Sequence, residues 1–228
     1  MKNKNNHSVW IWIMAAGIWI LPVNGIAQVY PLVSPEEVMP LNTEVTSVVH
    51  NGVQALRVVG TTPGHQMAIV KGTDFKDGII EVELAGQPLA GSDPSFRGFV
   101  GLAFRVQAGD SLRYECFYLR PTNGRADDQL RRNHSTQYIS EPGYPWYVLR
   151  RDHPGVYESY VDLVPGEWTK VRIVVSGREA RLFVHNVSQP ALIVKGLKQD
   201  AAPGAVALWI GLGTEAFFAN LRLSPLPH

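Results

Sequence analysis

Residues 123–151 read "NGRADDQLRRNHSTQYISEPGYPWYVLRR". These 29 residues hold five Arg, two adjacent Asp, one His, three Tyr and one Trp, with few aliphatic side chains. Such a mixture is equipped for recognising polar, ring-shaped ligands. Arg and carboxylate groups make directional, charge-assisted hydrogen bonds to hydroxyls and uronates. Tyr and Trp rings stack on apolar sugar faces and keep a polar tip free. Read this way, Tyr138, Tyr144, Trp146 and Tyr147 supply rings, and Arg125, Arg131, Arg132, Arg150 and Arg151 supply cationic forks, with Asp128 among them.

Two catalytic readings use the same region. A hydrolase would pair Glu158 with Asp127 or Asp128 as acid and base or nucleophile. A polysaccharide lyase would neutralise a uronate with Arg120 or Arg105 and remove the C5 proton with His134 or Tyr160, a step that needs positioning and charge rather than a metal. A plainer reading also fits. Asp127-Asp128 and Arg131-Arg132 stand at i, i+4 spacing and would form ion pairs on a short helical turn. The Pro and Gly residues at 142–145 and 154–155 would then shape a packed lid.

The flanking strands decide what this segment can cover. In "RGFVGLAFRV", Val100, Leu102, Phe104 and Val106 form the apolar set, which places Arg97, Phe99 and Arg105 on the opposite face. In "LRYECFYLR", packing of Phe117 and Leu119 inward turns Tyr114, Tyr118 and Arg120 outward. In "VYESYVDL", Val161 and Leu163 pack inward, leaving Glu158, Tyr160 and Asp162 outward. The expectation is an insert, about 121–156, folded over a polar face. Its candidate catalytic residues are Glu158, His134 and Asp127. Its candidate ligand contacts are Arg105, Tyr118, Arg120, Asp128, Arg131, Tyr138, Trp146 and Tyr160.

The chain opens with Met1, Lys2 and Lys4, followed by the apolar run "VWIWIMAAGIWILPV" and then "NGIAQ". A basic start, an apolar stretch and small residues at Gly25 and Ala27 predict a secretory signal peptide cut after Ala27. A membrane span needs about 20 apolar residues, and this run is shorter and contains Pro22. The expectation is therefore a secreted or periplasmic protein with no membrane span after cleavage. Residues 28–228 would form one domain. Losing Lys2 and Lys4 lowers the basic count from 21 to 19 against 20 acidic residues. Such a near-neutral chain has no overall basic field to attract nucleic acid. A single cysteine, Cys116, allows no internal disulfide and suggests no metal cluster, so it reads as a packing residue.

Elsewhere short runs with period-2 alternation recur between Gly, Pro, Asn and Asp. Val171, Ile173 and Val175 oppose Lys170 and Arg172, and Ile80, Val82 and Leu84 oppose Glu81 and Glu83. "VSGREARL" reads as a tight hairpin. No long amphipathic helix is legible. The pattern predicts an all-β sandwich.

The order of "FKDGIIEVELAG", "RGFVGLAFRV", "YECFYLRP", "PGEWTKVRIVVSGREARLFVHN" and "GAVALWIGLGTEAFFANLRL" resembles the concanavalin A-like lectin/glucanase superfamily over roughly residues 70–225. More narrowly it resembles laminin-G-like and 3-keto-disaccharide-hydrolase-like domains of secreted bacterial proteins. The resemblance implies a jelly-roll β-sandwich of two antiparallel sheets that engages carbohydrate on one sheet or its rim. It does not settle function, because the fold hosts lectins, hydrolases, lyases and protein-interaction domains. The glucanase Glu-x-Asp-x-x-Glu strand is reduced here to Glu81-Val82-Glu83, and the lyase Arg-x-Glu-x-Arg strand is missing. Members that bind a structural calcium use an Asp in the last strand, where this chain has Ala219 beside Asn220. No cofactor is expected.

Overall fold

The computed structural model describes residues 27–109 and 111–227. The expected signal peptide, apart from Ala27, lies outside the described residues. Among the described residues fifteen strands form two antiparallel sheets. They are β1 (Gln28–Tyr30), β2 (Val38–Leu41), β3 (Thr43–His50), β4 (Val53–Gly60), β5 (Gln66–Val70), β6 (Gly78–Pro88), β7 (Val100–Gln107), β8 (Arg113–Leu119), β9 (Thr136–Glu141), β10 (Glu158–Ser159), β11 (Thr169–Ser176), β12 (Glu179–Val184), β13 (Leu192–Lys195), β14 (Ala205–Ile210) and β15 (Thr214–Ser224). Two short helices, α1 (Gln129–Asn133) and α2 (Trp146–Asp152), flank β9. One sheet runs β13-β12-β11-β6-β15-β4-β3, with β1 added on β15, and the other runs β10-β9-β8-β7-β14-β5-β2.

Alternation builds the core between them. Ile80 and Val82 of β6 pair with Ile173 and Val171 of β11, and all four point inward. From the other sheet Val100, Leu102, Phe104, Phe117, Leu119, Val206 and Leu208 meet them. Each large side chain buried here contributes about 1.5–3 kcal/mol. The expected hairpin is present, with Gly177 and Arg178 between β11 and β12 and Gly177 at φ 57°. The strands β1 and β2 carry little alternation and are not apparent in the sequence. β2 includes Pro40, tolerated because this strand is an edge.

Two expectations about β7 and the insert are corrected. Arg105 does not share a face with Phe99. A bulge between Phe104 and Gln107 breaks the ladder, and Arg105 sits at φ 52°, so parity shifts from that point. Val106 consequently leaves the set of Val100, Leu102 and Phe104 and packs on the outer face. The buried Arg105 guanidinium bonds to Lys76 O at 2.9 Å, Asp77 Oδ1 at 3.2 Å and Gly177 O at 2.7 Å. It joins β7 to turns that belong to the opposite sheet and is no ligand contact.

The insert, read as a lid, in fact contributes a strand. β9 pairs with β8 from Tyr114↔Glu141 to Leu119↔Thr136. Its polar composition concealed it, yet five of its six residues are buried and their side chains are hydrogen-bonded or packed. Tyr138 points between the sheets and is fully buried, so it is a core residue rather than a ligand-stacking ring.

Tyr138 also completes a polar pin across the core. Its hydroxyl donates to Glu115 Oε2 at 2.5 Å and accepts from Lys198 N–H at 3.1 Å. The Gln199 N–H donates to Glu115 Oε1 at 2.8 Å. Burial pushes the Glu115 carboxyl above the usual range, against the hydrogen bonds from Tyr138 and Gln199. A raised native pKa means that the folded state holds this proton at pH values where the unfolded chain has released it. The associated stability is complete below the ordinary glutamate pKa and is lost as pH rises through the raised one. Glu115→Gln mimics the protonated acid, so its Tm minus that of the wild type should increase as pH rises through this window. A difference that stays flat with pH would show that Glu115 keeps an ordinary pKa.

Candidate functional site

The outer face of the seven-stranded sheet carries a second cluster of apolar and aromatic side chains, including Met67, Tyr114, Cys116, Tyr118 and Ile139, with Phe99 and Trp209 packed on it. Register explains the arrangement. One cross-strand row runs Leu41, Met67, Trp209, Gly101, Tyr118, Gln137 and Glu158 over all seven strands. Gly101 stands between the two largest rings. A Cβ there would lie 2.1 Å from Phe117 O and 2.6 Å from Tyr118 Cα. Without it the rings of Tyr118 and Trp209 stack across the intervening strand, with centroids 4.8 Å apart and an interplanar angle of 29°. Phe99 leans on Tyr118 at 5.3 Å.

Arg120 continues this aromatic line. Its guanidinium lies 5.2 Å from the centroids of both Phe99 and Tyr118 and 5.9 Å from that of Trp146. It donates to His134 O at 3.0 Å, Tyr118 Oη at 2.8 Å and Gln137 Oε1 at 3.1 Å. Burial, partly countered by the Arg120 charge, pushes the Tyr118 phenol up to about 12. Helix α2 begins at Trp146 and brings Arg150 over the Trp146 ring at 4.8 Å. Arg150 then clamps Glu158 through Nη2–Oε2 at 2.7 Å and Nε–Oε2 at 3.1 Å. His134 Nε2 lies 3.1 Å from Glu158 Oε1. Burial, followed by the charges of Arg150 and Arg120, holds His134 below its usual value, while Glu158 pulls the other way.

Three adjoining cavities follow this line. A chamber of 240 Å³ includes His65, Phe99, Tyr118, Glu141, Trp146 and Trp209 in its lining. One of 340 Å³ shares Phe99 and Trp146 with it and adds Arg97, Arg120, Arg131, His134 and Arg150. One of 600 Å³ shares His134 and Arg150 with the second and adds Leu130, Glu158 and Tyr160. The result is a groove that passes from aromatic to cationic to mixed acid–base character.

Seven of the expected site residues converge here: Tyr118, Arg120, Arg131, His134, Trp146, Glu158 and Tyr160. Four do not. Arg105 and Tyr138 serve the core, as above. Asp128 caps α1 by accepting from Arg131 N–H at 2.8 Å. Asp127 is exposed and lines none of the three chambers. The ion pairs expected between the Asp127-Asp128 and Arg131-Arg132 doublets do not form. Arg131 turns to Thr122 and Asn123, and Arg132 donates to Tyr160 Oη at 2.9 Å.

Sequence reasoning put Phe99 and Arg97 on the outer face without naming them as contacts, and it missed Trp209, Glu141 and the partner roles of Arg150 and Gln137. Trp209 was recoverable, because Val206, Leu208 and Ile210 pack inward and parity puts Trp209 outward. The pairing of Arg150 with Glu158 depends on where α2 docks and leaves no local signal. Asn220 Nδ2, beside the last-strand position Ala219, donates to Glu83 Oε2 at 2.9 Å. Among the described residues no group of three or more His, Cys, Asp or Glu side chains stands together.

No protein-family model matches this chain, and no curated protein does. Among solved structures it is similar to the carbohydrate-binding module CBM66 from Bacillus subtilis, at 10% identity and TM-score 0.56, covering 82% of this chain and 96% of that one. It is also similar to a Bacillus subtilis protein of unknown function with a galectin-like fold, at 10% identity and TM-score 0.55, covering 88% and 96%. The exoplasmic/lumenal domain of VIP36 in its Ca2+/Man3GlcNAc-bound form matches at 10% identity and TM-score 0.51, covering 89% of each chain. At these identities the likeness is one of architecture. The chain has the concanavalin-like lectin/glucanase β-sandwich fold.

Proposed function

We propose that this is a secreted or periplasmic glycan-binding protein, acting alone or as an accessory to glycan processing, whose ligand lies in the groove on the outer face of the seven-stranded sheet. The observation that carries the reading is the partly exposed Trp209 ring, backed by the buried Tyr118 and set in a chamber with Phe99, Trp146, His65 and Glu141. A pyranose ring presents an apolar face to such a platform and equatorial hydroxyls to the polar border. The fold likeness to a carbohydrate-binding module and to a mannoside-bound lumenal domain supports the same reading. Titration of the purified protein with a panel of polysaccharides should identify at least one binder. Trp209→Ala should weaken it by about 2 kcal/mol, roughly thirtyfold in Kd, measured well below the lowered Tm that loss of the Tyr118 stack brings. Binding insensitive to Trp209→Ala would place the ligand elsewhere.

A catalytic reading draws on one observation, the contact of His134 with Glu158 beside two arginines. Hydrolysis needs two carboxyl groups about 5–10 Å apart. Asp127 is not near Glu158 in any of the chambers. Glu141 stands four residues along β9 from Gln137, the partner of Glu158, which is about 13 Å of strand. Lyase chemistry fits better, with Arg120 or Arg150 facing a uronate and His134 or Tyr160 taking the proton. The binding reading expects no new products by mass spectrometry after prolonged incubation with uronate polymers. A 4,5-unsaturated end that disappears in His134→Ala or Tyr160→Phe would make the protein a lyase.

A further inference from the structure

The middle chamber of the groove has a charge balance that neutral sugar binding does not require. Arg97, Arg120, Arg131 and Arg150 all line it. Of these four, only Arg150 forms an ion pair with a carboxylate of the described residues, that of Glu158. Arg120 is 4% exposed and donates only to neutral oxygens of His134, Tyr118 and Gln137, and its Nε has no acceptor. Arg131 reaches Thr122 O at 3.4 Å and Asn123 Oδ1 at 3.5 Å, contacts too long to satisfy it, and its Nε is also without an acceptor. Arg97 donates to Pro94 O at 2.9 Å and Phe96 O at 3.3 Å. Burial lowers the Arg97 pKa, the Arg131 charge lowers it further, and Asp93 partly restores it. Three guanidinium groups are thus crowded, partly desolvated and short of counter-charge. Burying charge without a partner costs several kcal/mol, and a bound anion removes that cost.

We propose that this chamber is an oxyanion subsite for an acidic group carried by a sugar, either a uronate carboxylate or a sulfate ester. The inference rests on the glycan-binding reading of the groove and names the class of glycan. Guanidinium forks match the planar geometry of a carboxylate and also accept sulfate oxygens. The chamber shares Phe99 and Trp146 with the stacking chamber, so an acidic unit here adjoins a sugar ring placed on Trp209. Acidic side chains bound the cationic stretch on both sides, Glu141 in the aromatic chamber and Glu158 in the mixed one. That pattern confines the anion to the middle of the groove.

The test compares each acidic polymer with its neutral counterpart. Polygalacturonate and its carboxyl-reduced form make one pair, and dextran sulfate and dextran make the other, titrated at fixed ionic strength. The acidic member of at least one pair should bind about tenfold tighter or more. The pair that shows the preference identifies carboxylate or sulfate as the source of the charge. Arg97→Gln and Arg131→Gln lie at the chamber wall rather than under it, and each should bring the acidic-to-neutral ratio toward one. Arg181→Gln, the same charge change on the exposed face of β12, should leave the ratio as it is. Equal affinity within both pairs, or a preference that survives both chamber variants, would overturn the subsite. Retained binding of neutral glycans in that case would leave the wider glycan reading intact. Failure of every acidic and neutral glycan to bind would remove both.

Discussion

The Arg120 guanidinium is the group around which the groove is organised. A cation that is nearly fully buried must find acceptors, and here they come from three places in the chain: the Tyr118 hydroxyl on β8, the Gln137 amide on β9 and the His134 carbonyl after α1. Meeting those demands fixes the end of β8 against the start of β9. The rings of Phe99 and Trp146 also lie within 5.2 and 5.9 Å of this guanidinium. One interaction therefore sets the sheet edge, the seating of α2 and the position of the aromatic line. Neutral oxygens engage both terminal nitrogens and leave Nε and the charge unmet.

Polar groups also tie the two layers together. Glu115 and Tyr138 reach from the seven-stranded sheet to the backbone at Lys198 and Gln199, and Arg105 reaches the turns at Lys76–Asp77 and Gly177. Hydrophobic burial drives the sheets together without fixing their relative position, because it has no direction. These few hydrogen bonds have direction and penalise misplacement, since each buried polar atom would otherwise lose its partner. The sandwich interior is thus mostly aliphatic and aromatic, with its alignment fixed at a small number of sites.

The frame was legible in the sequence wherever period-2 alternation runs unbroken. Val171, Ile173 and Val175 against Lys170 and Arg172 gave both a strand and its buried face, and "RYECFYL" correctly put Tyr118 outward. Legibility failed where a single backbone angle intervened. At Arg105 a left-handed residue shifts the parity of everything after Phe104, and no side-chain pattern marks it. It failed again at β9, where Thr136, Gln137 and Ser140 are polar yet buried, because their partners come from β8, β10 and the segment before it. The candidate site was readable as a composition rather than a geometry. Arg120, Arg131, His134, Trp146 and Tyr160 do line one groove. Whether an Asp caps a helix, as Asp128 does, or faces a cavity is decided by where the short helices land.

The edges of the seven-stranded sheet have a separate consequence. One edge, β2, carries Pro40, which cannot donate a ladder hydrogen bond. The other, β10, is only two residues long and leads directly into the segment that returns to the opposite sheet. An open sheet invites strand addition by a neighbouring chain, and proline and very short strands are means of preventing it. At high local concentration the sheet that carries the groove therefore offers no continuous backbone template, so association through its edges, and the fibrillar aggregation that follows from it, is discouraged at both ends.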